Sequence, residues 1–166
     1  MGPPQMVQQA QLTSTAATAT TNTGTISAAT AGNLLVAALA GDKNTGTVVF
    51  TDNLGGAWTE VVEVPGASVS TYLAYKVAAG GETTITATTS APSTTGNTGR
   101  VIELSQDGTD SWTLVASSVP AYSDTTALSR STGTTGTASF GGLAVAVAAV
   151  DTQNNVTSRA LSLIHI

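Results

Sequence analysis

Apolar positions along this chain come in short runs, each cut off by glycine, proline, asparagine or aspartate. "LLVAALA" runs from Leu34 to Ala40, between Gly32-Asn33 and Gly41-Asp42. "TVVFTD" (Thr47 to Asp52) ends at "NLGG", "AWTEVVEV" (Ala57 to Val64) at Pro65-Gly66, and "VSTYLAYKV" (Val69 to Val77) before Gly80-Gly81. "ETTITATTS" alternates from Glu82 to Ser90, and "RVIELSQ" starts at Arg100 and ends at Asp107-Gly108. Strand-length runs separated by turn residues at this spacing predict an antiparallel β-sandwich or barrel. The tract "TSTAATATTNTGT" ahead of them alternates small and polar side chains, as a flexible arm or a polar edge strand does.

One phrase is written twice. "GNLLVAALAGD" (Gly32 to Asp42) and "GGLAVAVAAVD" (Gly141 to Asp151) share six of eleven positions, and "TGT" at Thr23 recurs at Thr132 with the same offset. Leucine and alanine also suit a short helix. The length, the flanking glycines and the valines of the second copy favour a strand. Consecutive apolar positions imply burial on both faces, so both copies are expected as central strands with something over the outer surface.

Composition strengthens the all-β reading. Threonine, with 31 residues, is the commonest type, and it is β-branched; charged residues are 9% and aromatics 4%. At 166 residues the chain can bury a real core. A net charge of −5 with five scattered cations (Lys43, Lys76, Arg100, Arg130, Arg159) offers no basic stripe for phosphates, so no nucleic-acid partner is expected. There is no cysteine for a disulfide or thiolate metal site. No apolar run is long enough to span a bilayer as a helix, and the N-terminus has neither the charge nor the apolar stretch of a secretory signal.

The candidate chemistry is sparse. His165 is the only histidine, so no histidine triad is expected. "GGAWT" reads as a turn delivering Trp58 to a core that also holds Phe50, not as a phosphate loop. Glu60 and Glu63 are three apart on one expected strand, which puts them on opposite faces and argues against a carboxylate pair. Asp107 and Asp110 in "DGTD" carry oxygen ligands but lack calcium-loop spacing and read as a polar turn. Glu103 interrupts an apolar strand and is expected to be paired or near a sheet edge, and Trp112 to anchor the crossover between the halves. Asn155-Val156-Thr157 matches a glycosylation sequon, which means little without a secretory signal. Tyr72 and Tyr75 fall on opposite faces of their strand, one for the core and one exposed; these two are the candidate contacts for a glycan or partner. No cofactor and no metal is expected.

The order "GNLLVAALAGD", "TDNLGGAWTEV", "YLAYKVAAGGETTITATTS", "VIELSQDG", "GGLAVAVAAVD" resembles a family of β-sandwich proteins common in phage and prophage structural genes and bacterial surface proteins. The resemblance spans roughly Val7 to Asp151, with "ELSQ" where the family has "EYSG". It implies an antiparallel, jelly-roll-like sandwich of two pseudo-repeated halves, serving as a non-enzymatic virion or surface module (tail fibre, tail tip or capsid decoration). A carbohydrate-binding or adhesin module is the alternative. The partners implied are other virion or surface subunits and host glycans, in a homo-oligomeric or multi-domain assembly at the virion or cell surface. The last six residues, "LSLIHI", are what CTG TCT CTT ATA CAC ATC encodes, which resembles the transposon end used as a sequencing adapter. The expected division is therefore an arm or edge strand over 1–25, a sandwich with a truncated second half over 26–160, and an adapter-derived tail over 161–166.

Overall fold

The structure, a computed structural model, describes residues 4–14, 20–42, 46–64, 69–92, 97–105, 112, 143–152 and 155–165. Among these residues the chain is all-β, and every strand pairing is antiparallel. The strands are β1 (Gln5–Leu12), β2 (Thr21–Thr25), β3 (Leu34–Asp42), β4 (Val48–Asp52), β5 (Thr59–Val64), β6 (Val69–Val77), β7 (Thr84–Thr89), β8 (Thr98–Ser105), β9 (Leu143–Thr152) and β10 (Asn155–His165). A five-stranded sheet in the order β1-β8-β3-β6-β5 faces a three-stranded sheet in the order β2-β7-β4, and β10-β9 form a hairpin. This is the antiparallel sandwich that the turn spacing predicts.

The first copy of the repeated phrase is the middle strand of the larger sheet, paired with β6 on one side and β8 on the other. Alternation along a strand sends its side chains to two faces. Leu35, Ala37 and Leu39 enter the core between the sheets with Leu12, Phe50, Tyr72, Ile85 and Val101. Val36 and Ala38 form a second cluster on the outer face with Leu73, Ile102 and Leu104. Both faces of β3 are buried, as its uninterrupted apolar run requires. The inner face is taken by the small sheet. β9, which runs against β6 and β3, therefore lies on the outer side.

The second copy differs from expectation. Among the described residues β9 is not a central strand and pairs only with β10. The same apolar phrase serves here in a two-stranded ribbon. Nor is β9 without a successor. β10 runs back along it, and Leu161 to His165 pair with Val147 to Leu143.

At the edges of the sandwich lie β1 and β2, within the polar N-terminal tract and joined by the Thr13–Thr23 bridge. The exposed face of the small sheet is built from alternate threonines in register. Thr21, Thr23 and Thr25 pair with Thr88, Thr86 and Thr84, and β4 adds Val49 and Thr51 opposite Thr88 and Thr86. The central hydroxyls of Thr23 and Thr86 are 3.3 Å apart. No charged side chain lies on this face among the strand positions. Among the described residues no helix is long and apolar enough to cross a membrane.

Candidate functional site

Among the described residues the fold buries ionisable side chains at two places inside the sandwich. The first is built from β4, the loop after it, β6 and the β6–β7 turn. Lys76 has the same parity on β6 as Tyr72 and Ala74, so it points inward at the end of the core. Its Nζ lies 2.7 Å from Asp52 Oδ2 and 3.0 Å from Glu82 Oε1, with side-chain exposures of 8% for the lysine and 0% for each carboxylate. Gly80 and Gly81 both have φ near +96° (97° and 96°), a conformation open to glycine, and the turn they make brings the N–H groups of Ala79 and Gly80 onto Glu82. Asp52 Oδ1 accepts from the Leu54 N–H at 2.9 Å, and Oδ2 accepts from Trp58 Nε1 at 2.9 Å. The Trp58 ring is half-buried and tilts against Phe50 with centroids 6.1 Å apart, so Phe50 is a core residue and Trp58 sits at its rim.

The loop lies close over the ammonium. A Cβ on Gly56 would fall 2.3 Å from Lys76 Nζ. The glycine in "NLGGAW" is thus needed for approach, not only for turning.

Burial presses on all three charges, and the contacts outweigh it. Burial alone would raise Asp52, but hydrogen bonds from Lys76, Leu54 and Trp58 and the lysine's charge hold it below the usual carboxylate range. Burial would likewise raise Glu82, but the N–H of Ala79 leads the backbone and Lys76 contacts that hold it down. Burial would lower Lys76, yet its bonds to Asp52 and Glu82 lift it above an ordinary lysine. The triad is ionised at neutral pH.

The second place is at the other polar position of the interior. Glu103 on β8 is 1% exposed and lies between β1 and β3, not at an edge. Its Oε1 accepts from Asn33 Nδ2 at 2.6 Å and from the Thr30 N–H at 2.9 Å, and its Oε2 accepts from Gln8 Nε2. Gln8 in turn exchanges two hydrogen bonds with the backbone of Ser27. The expected partnering of Glu103 holds, with neutral donors throughout. Trp112 packs against the outer cluster and donates from Nε1 to Gly32 O at 3.0 Å, pinning the turn before β3.

The sequence-selected residues are not brought together. Tyr72 and Tyr75 do lie on opposite faces. Tyr72 is a core residue, 2% exposed, with its hydroxyl donating to Gly46 O. Tyr75 is half-buried on the outer face, against the cluster that also holds Leu34, Val61 and Trp112. For Glu60 and Glu63 the structure gives the backbone register: a bulge between Glu60 and Val62 places Glu60 opposite Ala74 and Glu63 opposite Tyr72. Asp107 and Asp110 lie outside the described residues. His165 falls within β10, opposite Leu143. Among the described residues no group of three or more His, Cys, Asp or Glu side chains is placed to hold a metal ion.

What residue reasoning missed is the Asp52–Lys76–Glu82 triad. Its signal was present: Lys76 shares its parity with core positions, and each carboxylate adjoins a glycine-rich turn. No family model matches the chain, and no curated protein or solved structure is found to be similar to it.

Proposed function

We propose that the chain is a non-enzymatic structural module of a virion or cell-surface assembly, of the tail-fibre, tail-tip or capsid-decoration type. One observation carries this reading. The ionisable groups that the fold gathers are spent on internal bonds, while the small sheet presents a charge-free face of aligned threonines with Val49 59% exposed. Such a face is suited to packing against further subunits, since no charge has to be stripped of water on association.

The purified chain is accordingly expected to associate with rising concentration into a defined oligomer in sedimentation equilibrium. Thr86→Lys, at the centre of the face, should shift it to monomer. A wild-type chain that stays monomeric throughout would count against the reading. The adhesin alternative draws on the half-exposed ring of Tyr75. Saturable binding to one defined sugar on a glycan array, lost in Tyr75→Ala, would put recognition first.

A further inference from the structure

We propose that Lys76 Nζ condenses with the Asp52 carboxyl to form an intramolecular isopeptide bond, with Glu82 as the proton carrier. The inference stands independently of the module's place in an assembly. The bond would tie β4 of the small sheet to β6 of the large one, so the two layers of the sandwich would be covalently joined.

Nucleophile and electrophile are already in contact. Nζ is 2.7 Å from Asp52 Oδ2, and the carboxyl carbon lies one bond further, near the separation of roughly 3–3.5 Å from which such attacks proceed. Glu82 Oε1 is 3.0 Å from the same nitrogen, within reach of its protons. The Leu54 N–H on Oδ1 is placed to stabilise the negative charge that this oxygen takes up when the carbon becomes tetrahedral. Trp58 Nε1–H holds Oδ2, the oxygen facing the lysine. The carboxylates are fully buried, and the Gly56 backbone closes over Nζ, so the water that would solvate the charges and reverse the reaction is kept away.

The step balances without any co-reactant. Glu82 passes one proton from the Lys76 ammonium to Asp52 Oδ2, and the freed lone pair attacks Cγ of the now neutral carboxyl to form the Nζ–Cγ bond. The Cγ–Oδ2 bond then breaks. Oδ2 leaves as water, carrying that proton and a second one that Glu82 relays from Nζ, and Glu82 ends as the carboxylate it was. The ion triad is the resting state before reaction. The contacts that hold the triad ionised make the first proton transfer slow, and a single slow turnover is sufficient because the product is not turned over again.

Intact mass spectrometry of the folded, aged wild-type chain is the test. The expected mass is lower than the sequence mass by one water molecule. Cleavage at Glu60 and Glu63, which separates Asp52 from Lys76 in an open chain, should yield one linked species containing both. Glu82→Gln should restore the full mass. A folded wild-type chain of full sequence mass would overturn the proposal whatever the variant does. A water loss that maps elsewhere, such as Asp107-Gly108, would overturn it as well, and a link that persists in Glu82→Gln would remove Glu82 from the mechanism.

Discussion

The two buried carboxylate sites solve the same problem by different means. On one side of Leu35 two carboxylates share a lysine; on its other side, Glu103 is held by an asparagine, a glutamine and one backbone N–H. A charge in a low-dielectric interior has to be matched by opposite charge or by converging dipoles. The first solution centres both carboxylates on one cation, with N–H groups of Leu54, Trp58, Ala79 and Gly80 added; the second uses three neutral donors from two segments. The difference teaches where each site is fragile: the triad fails if Lys76 is lost, whereas the Glu103 site can lose strength piecemeal.

The largest expected effect follows directly. Lys76→Met leaves two buried carboxylates without a cation, and breaking a buried pair in this way costs about 3–5 kcal/mol. Urea denaturation should show a large fall in midpoint at neutral pH, against a total stability on the order of 5–15 kcal/mol for such a domain. The pH response sharpens the comparison. As an ion triad, Asp52 and Glu82 have folded pKa values below their unfolded ones. Their stabilisation is full above the unfolded values and is lost as pH falls through the lowered folded values. Lys76 is raised, so its share is full below its unfolded pKa and is lost as pH rises through the folded one. Condensation of Asp52 with Lys76 would leave only the Glu82 part of the acid limb. In Lys76→Met, burial acts on the carboxylates without the lysine against it, so the variant should regain part of its lost stability on acidification. A Met variant that loses further stability in acid would break this account.

Phe50 and Trp58 come next. Phe50→Ala removes a ring that is 6% exposed and should cost about 3–5 kcal/mol. Trp58→Ala at the rim should cost less than this in transfer energy, and it also removes a donor from Asp52. If Trp58→Ala proved the costlier of the two, its bond to Asp52 would matter more than its packing.

Glu103→Gln tests the other site. The amide can still accept at one oxygen, but its NH2 then faces Gln8 Nε2, whose own oxygen is engaged by the Ser27 N–H. Leaving such a donor unmatched costs about 1–3 kcal/mol, smaller than the loss expected at Lys76. Equal losses at the two sites would erase the contrast between shared and concentrated compensation.

How much of this was written legibly in the chain varies from element to element. The strand "VSTYLAYKV" was bounded correctly at both ends, since turn residues flank it and period two runs through it. Burial on both faces of "LLVAALA" followed from its lack of polar positions. The bulge in "TEVVEV" was not legible, because no glycine or proline marks it and its position is set by pairing with β6. The place of "LAVAVAAV" was not legible either. Its composition demands burial but does not say whether neighbouring strands or a packed sheet face supply it. The triad needed two separate parities and a loop closure to coincide in space, which local pattern does not encode.

Asn22 marks the limit of the comparison, as a buried polar group compensated by neither means. It lies on β2 in register with Ala87, is 0% exposed, and neither its amide oxygen nor its nitrogen has a hydrogen-bond partner. Its neighbours Thr21 and Thr23 face outward, so alternation turns the amide toward the interior between the sheets. Desolvating such an amide without a partner costs about 1–3 kcal/mol. Leucine has the same number of side-chain heavy atoms and no polar atom, so Asn22→Leu should remove that cost, against some crowding from its larger methyl groups. The expected result is a rise in the denaturant midpoint equivalent to about 1 kcal/mol, part of the gain being offset by the bulk of the two methyl groups. A clear loss of stability in Asn22→Leu would show that the amide is bonded in solution, and that this interior, like the other two polar positions, tolerates no uncompensated group.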